Sequence, residues 1–236
     1  MNTNLVDESR TLAKGLNDLS FSKDLIIYNP LEYAVESHEF YLSRYGKSKK
    51  KILFMGMNPG PWGMVQTGIP FGAIDPVKNF LKIEKNINAP KKQHQKRPVQ
   101  GFSCKRQEVS GSRLWSWVEA QWGDAESFFS DCFVHNYCPL AFFDSGGKNI
   151  TPEKLNTVER IALEEICDNF LLKMVSVLGC KWVIGVGNYA EAKAKKVFKD
   201  KEVKVGRILH PSPASPLANK GWAGFATEKM IAYGLM

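Results

Sequence analysis

The chain has 236 residues, 44% of them hydrophobic and 24% charged, which suits one medium α/β domain with a substantial core. Its 32 Lys and Arg exceed its 24 Asp and Glu, for a formal net charge of +8 and a pI near 9.2; this favours a polyanionic partner, nucleic acid ahead of an anionic membrane. The polar stretch Met1 to Leu12, with Asp7 and Glu8, does not read as a signal peptide, and no apolar run approaches the ~20 residues of a membrane span. Five cysteines (Cys104, Cys132, Cys138, Cys167 and Cys180) contain no C-x-x-C pair, which argues against a disulfide framework and against a zinc or iron–sulfur site.

In chain order, helices are predicted over Leu5–Leu19 and Leu31–Tyr45, the second ended by Gly46. A basic run, Lys47 to Lys51, leads into Ile52-Leu53-Phe54-Met55-Gly56, a short apolar run that reads as a buried strand. Asn58 to Gly72 is rich in Gly and Pro and reads as a long ordered loop. Lys82 to Gln100, polar and basic with Pro90 and Pro98, reads as a surface insertion. A helix over Leu114–Trp122 and a strand over Cys132–Asn136 follow. The next helix spans Pro152–Leu178, with Val158, Ile161, Ala162, Ile166, Phe170, Met174 and Val177 at helical spacing. Then come a strand (Trp182–Val186), a helix (Tyr189–Phe198), a strand (Val203–Leu209) and a final helix (Gly221–Tyr233). Strands alternating with helices predict a three-layer α/β/α fold around a central, mainly parallel four-stranded sheet. The expected organisation is a single domain, residues 1–236, with N-terminal helices in residues 1–46 packed on it. Right-handed crossovers place the carboxyl ends of all four strands on one rim.

Polar segments follow each strand: Gly56 to Pro61, Asn136 to Leu140, Gly187-Asn188, and His210 to Pro213. Ligands of open parallel sheets bind outside the carboxyl ends of the strands. Asn, Gly and Pro are also ordinary turn formers, but turn formation accounts neither for His210 nor for the length of the first loop. Gly185-Val186-Gly187-Asn188-Tyr189-Ala190 matches the G-x-G-x-x-A dinucleotide fingerprint. The acidic residue that this fingerprint needs after the next strand is missing, because that strand ends at His210. Close helix–strand packing is the alternative use of these glycines. A nucleic-acid-binding module without catalysis and a nucleotide-cofactor enzyme both stay open on these features alone.

Two longer stretches carry a resemblance. Gly56 to Gly72 (GMNPGPWGMVQTGIPFG) and His210 to Trp222 (HPSPASPLANKGW) resemble the two motifs of the single-strand-selective monofunctional uracil-DNA glycosylases, and Phe133 to Leu140 resembles the base-reading segment between them. The resemblance runs from about Ile52 to Trp222. It implies a uracil-DNA glycosylase-like fold and hydrolysis of the N-glycosidic bond of uracil, with 5-hydroxymethyluracil and related bases as further substrates. The DNA would be single- or double-stranded and the product an abasic site. No cofactor or metal is implied, the partner is DNA and not membrane, and the expected state is a monomer. The compartment follows the DNA: the nucleoid of a bacterium or the nucleus of a eukaryote.

The resemblance also assigns roles. Asn58 positions the attacking water; as an amide it orients rather than abstracts a proton. His210 donates to the base oxygen beside the breaking bond. Asn136 reads the flipped base, Phe71 stacks on it, the Met57 N–H donates to a base oxygen, and Gly60 leaves room at carbon 5. The DNA-binding wedge comprises Pro211, Ser212, Pro213, Ala214, Ser215, Pro216, Leu217 and Lys220, stiffened by its prolines. Read from their charge rather than from the resemblance, Lys105, Arg106 and the Lys91 to Arg97 run either contact phosphates, with Ser110 adding a neutral bond, or form a solvated face. Ala214 departs from the family, which often carries an arginine there; either base extrusion from duplex DNA is weaker, or Leu217 serves as the wedge instead.

Overall fold

Helix α1 (Leu5–Asn17) begins at Asn4, whose side-chain oxygen accepts from the Asp7 N–H at 3.0 Å. Residues 4–236 are described by a computed structural model, so the first three residues of the expected domain and of its N-terminal stretch lie outside the description. The chain continues through β1 (Ile26–Tyr28), α2 (Pro30–Tyr33), α3 (Val35–Tyr45), β2 (Ile52–Gly56), α4 (Met64–Thr67), α5 (Val109–Trp122), α6 (Ala125–Asp131), β3 (Cys132–Asn136), β4 (Ala141–Phe143), β5 (Asn149–Ile150), α7 (Thr157–Leu178), β6 (Trp182–Val186), α8 (Asn188–Val197), β7 (Lys204–Ile208) and α9 (Trp222–Ala232).

Four strands form the parallel sheet, in the order β3-β2-β6-β7. β2 and β3 are buried along their whole length, as parallel strands covered on both faces must be. Alternate side chains meet the two helical layers. Phe54 of β2 faces α5 and α6, its ring 5.8 Å from Trp117 and 6.0 Å from Phe128. His135 of β3 faces α3 and α7, 5.9 Å from His38 and 5.4 Å from Phe170. Helix α1 packs on α7, placing Leu5, Leu12 and Leu16 in the same core as the sheet. The chain leaves β2 towards β3 on one side and then crosses to β6 and β7 on the other. The carboxyl end of β2 is therefore a topological switch point, where open α/β sheets form their ligand crevice.

Several expectations need correction. The helix expected over Leu31–Tyr45 is two helices broken at Ala34, which is buried against Gly68; a tertiary contact overrides the helix preference of alanine there. A second, antiparallel sheet, β1-β4-β5, was not expected, nor was α6, capped by Asp124. Helix α7 buries Leu163, Cys167, Leu171, Val175 and Leu178 as well as Phe170 and Met174, while Val158 and Ile161 are exposed. The Lys82–Gln100 insertion has no regular structure but is fastened inward: the buried Tyr28 hydroxyl donates to the Arg97 carbonyl at 2.7 Å and accepts from the His94 N–H at 2.8 Å. All five cysteines are free and buried. No helix among the described residues is long and apolar enough to cross a membrane.

Candidate active site

A cavity of about 350 Å³ opens at the carboxyl ends of β2, β3 and β7. Met57, Asn58, Gly60, Phe71, Ser110, Asn136, His210 and Ser212, all singled out from sequence, line it. They arrive from four stretches of chain: the β2 loop, the start of α5, the end of β3 and the segment after β7.

Glycine at position 56 sets the floor. A Cβ there would collide with Asn136 Oδ1 and come within 2.7 Å of the Phe71 ring, so both side chains lie over this bare backbone. Phe71 itself holds a φ of +53°, a region that bulky L-residues rarely occupy and that costs of order 1–3 kcal/mol. Its carbonyl accepts from the Trp115 indole N–H at 3.0 Å and from the Ala73 N–H at 2.8 Å. These bonds hold the strained backbone, and the Phe71 ring lies 6.3 Å from that of His210.

Asn58 turns its amide nitrogen to the Leu140 carbonyl at 3.3 Å, which leaves its side-chain oxygen to accept from another group. Asn136 is buried, with Nδ2 donating to Met64 Sδ at 3.4 Å. Sulfur is a weak acceptor, so the second amide hydrogen stays available to a ligand. The carbonyl of Asn136 is held by the neighbouring His135 through Nδ1 at 2.7 Å. Burial lowers His210 below the ordinary histidine range, so its imidazole is neutral at pH 7 and has one N–H to donate.

The segment after His210 leaves the cavity and becomes exposed at Pro213, Ala214, Pro216, Leu217 and Lys220. Pro211 is buried, and Ser215 and Leu217 border a neighbouring groove of about 770 Å³ that shares Met57 and His210 with the cavity. Sequence reasoning missed Arg113 and Asn219, which hold this segment. Arg113 of α5 donates to the Pro211 carbonyl at 3.1 Å and to Asn219 Oδ1 at 2.8 Å, and Asn219 Nδ2 donates to the Pro213 carbonyl at 2.9 Å. Trp222 closes the far end by donating to the Leu209 carbonyl at 2.6 Å.

Residues 43–229 match the uracil DNA glycosylase superfamily. Proteins named single-strand selective monofunctional uracil DNA glycosylase from Bos taurus and Rattus norvegicus are each 44% identical over 234 residues, 98% of this chain and 86% and 84% of theirs; the Mus musculus protein is 43% identical over the same length. The chain belongs to the single-strand-selective monofunctional uracil-DNA glycosylases. A crystal structure of Pedobacter heparinus SMUG2 shares the fold of this family member, with a TM-score of 0.67 at 18% identity, covering 98% of this chain and 97% of that one.

In this glycosylase the G-x-G-x-x-A turn serves packing. A Cβ at Gly185 would run into the Glu191 and Ala190 backbone of α8, and Gly187, at φ +94°, lets His210 approach within 3.1 Å of where its own Cβ would lie. Sequence reasoning assigns no role to Gly63, Met64, Glu108, Asn149 and Thr151, which complete the cavity lining. Glu108 caps α5 by accepting from the Gly111 N–H, which is why this helix starts five residues earlier than its apolar pattern suggests. Burial raises the Glu108 carboxyl above its usual range.

Proposed function

We propose that the chain hydrolyses the N-glycosidic bond of uracil in DNA, together with 5-substituted uracils such as 5-hydroxymethyluracil. It would act on single- and double-stranded substrates and leave an abasic site. One observation carries the reading: Asn58, Phe71, Asn136 and His210, distant in sequence, line one cavity at the switch point of the sheet. The three mammalian relatives supply the substrate class by name.

In this reading the extruded pyrimidine lies on the Phe71 ring. Asn136 Oδ1 accepts from N3–H and its free amide hydrogen donates to O4. Cytosine presents the opposite pattern, and each mispaired buried group costs about 1–3 kcal/mol. His210 N–H points to O2. Water adds to the anomeric carbon as the bond to N1 breaks; the electron pair stays on the base, where charge on O2 is met by the imidazole. One such donor is worth roughly 2.7–4 kcal/mol. Asn58 Oδ1, its amide tethered at Leu140, holds the water in line, and the water's proton passes to solvent. With O2, N3 and O4 assigned, carbon 5 falls beyond Asn136, along the wall of Met64 and Gly60.

The test is uracil release from a single-stranded oligonucleotide, read as alkali-labile strand scission. The expected result is scission at uracil that EDTA does not affect and that drops roughly 100-fold or more in His210→Ala. DNA binding without scission would favour a non-catalytic module. A borohydride-trapped adduct would contradict a purely hydrolytic route.

A further inference from the structure

Arg97 and Arg106 belong to two basic stretches that the sequence leaves open between phosphate contact and a solvated face, and both guanidiniums lie over the indole of Trp62, 5.2 and 5.4 Å from the ring centre. Arg97 is fixed further: Nε donates to the Gly147 carbonyl at 2.7 Å and Nη1 to the Lys96 carbonyl at 3.2 Å. Buried Gln66 ties the two loops together. Its Nε2 donates to the Pro61 and Pro98 carbonyls at 2.9 and 3.0 Å, and its Oε1 accepts from the Gln100 N–H at 2.8 Å. Neither guanidinium joins an ion pair among the described residues, although the chain forms such pairs elsewhere. Two permanent cations are thus gathered on one aromatic ring without a protein counter-charge. The ring quadrupole offsets part of their repulsion and orients them; an anion would supply the rest.

The place is informative. Trp62 stands between Gly60 and Gly63, and Arg106 lies two residues before Glu108; all three of these neighbours line the cavity. The segment from Pro211 to Lys220 offers only Lys220 as a cation, and Ala214 adds no charge. A single strand has no complementary strand to be pushed against, so its backbone must be gripped directly. We infer that Trp62, Arg97 and Arg106 form a phosphodiester clamp that holds the backbone phosphates flanking the nucleotide in the cavity. The inference rests on the glycosylase reading above. Guanidiniums bind phosphate oxygens in paired hydrogen bonds, and preorganisation on Trp62 reduces the rotamer entropy lost on binding.

The clamp is tested by fluorescence anisotropy with a single-stranded oligonucleotide carrying 2′-fluoro-deoxyuridine, which resists hydrolysis, over a series of salt concentrations. Each phosphate contact contributes about 0.7 to the slope of log K against log salt for single strands. Arg97→Ala/Arg106→Ala is expected to flatten the slope by about 1.4 and to weaken binding at least tenfold at low salt. Lys199→Ala/Lys201→Ala, which removes equal charge from the exposed turn beyond α8, is expected to leave the slope unchanged. Trp62→Leu keeps both charges and is expected to weaken binding several-fold. Equal flattening in the two double variants, or an unchanged slope in the arginine variant, overturns the clamp. Failure of the wild-type chain to release uracil from an ordinary oligonucleotide would instead overturn the glycosylase reading, and the salt slopes would still be measurable.

Discussion

The amide of Asn136 rests directly over the bare Cα of Gly56, with the edge of Phe71 beside it, 2.7 Å from where a Gly56 side chain would begin. The two elements that would read and stack a base therefore share one support, and the support is an absent methyl group. Gly56→Ala is expected to displace both at once. Overpacking costs typically 1–3 kcal/mol of stability, so the variant should still fold, with a lowered thermal midpoint. Uracil release should fall far more, by roughly 100-fold, because the mispositioned amide loses hydrogen bonds worth about 1–3 kcal/mol each. Single-turnover kinetics beside a thermal melt separates the two effects, and a folded variant with wild-type rates would remove Gly56 from the argument.

Asn58 invites the idea that a carboxylate, a stronger base, would make a faster enzyme. The contact with Leu140 argues otherwise at this position. The amide nitrogen donates to that carbonyl at 3.3 Å; aspartate has no donor to offer and would set an anionic oxygen against a carbonyl oxygen. Asn58→Asp is expected to turn away from Leu140 and to release uracil more slowly than wild type across pH 6–9. A rate above wild type would show that orientation through Leu140 does not limit the reaction.

Gly60 differs from the other glycines around the cavity. A Cβ there meets only Glu108, at 3.8 and 4.0 Å, whereas at Gly63 it would meet Glu108 at 2.8 Å. Position 60 therefore has room for a side chain, and that chain would fill space assigned to carbon 5. Gly60→Tyr is expected to abolish release of 5-hydroxymethyluracil while uracil release drops much less. Competition between the two bases in one oligonucleotide mixture measures the ratio directly; equal losses would place carbon 5 elsewhere.

The parallel sheet was legible because its chemistry is local. Ile52–Gly56 and Trp182–Val186 are apolar runs, and Cys132–Asn136 is one up to Val134; the bounds of all three segments coincide with the strands, as burial on both faces favours. The small sheet was not, since strands of two or three residues show no period and Tyr28 finds its partner at Ala141. In α7, Ile161, Leu163, Ile166, Cys167, Phe170 and Leu171 give several overlapping stripes; only contact with α1 and the sheet selects the one through Leu163 and Cys167. The cavity residues stood out as Asn, His and Gly at strand ends. Their supports did not, because Gln66 and Arg113 act by bonds to the Pro98 and Pro211 carbonyls, which sequence does not show as neighbours.

His38 and His135 make stability depend on acid. Their rings are 5.9 Å apart and buried. Each Nδ1 faces a carbonyl oxygen, of Gly68 and of Asn136, which fixes the proton on Nδ1 and leaves each Nε2 buried without a partner. Burial lowers His38 to about 4; burial, with His38 as a second cause, lowers His135 to about 3. The unfolded chain takes up protons at these histidines near pH 6.5, the folded chain only near 4 and 3. The stabilisation is therefore complete above pH 6.5 and is lost progressively as pH falls towards those lower values, with the unfolded state binding more protons throughout. At pH 5 each histidine should cost about 2 kcal/mol relative to pH 7.5. Urea unfolding of the wild type at both pH values, compared with His135→Gln, measures this: the variant, whatever its absolute stability, should lose about 2 kcal/mol less on acidification. An identical loss in both would mean that His135 titrates normally in the folded chain. The site would feel the change as well, since the proton taken up by His135 arrives one residue from Asn136, on the ring that holds the Asn136 carbonyl.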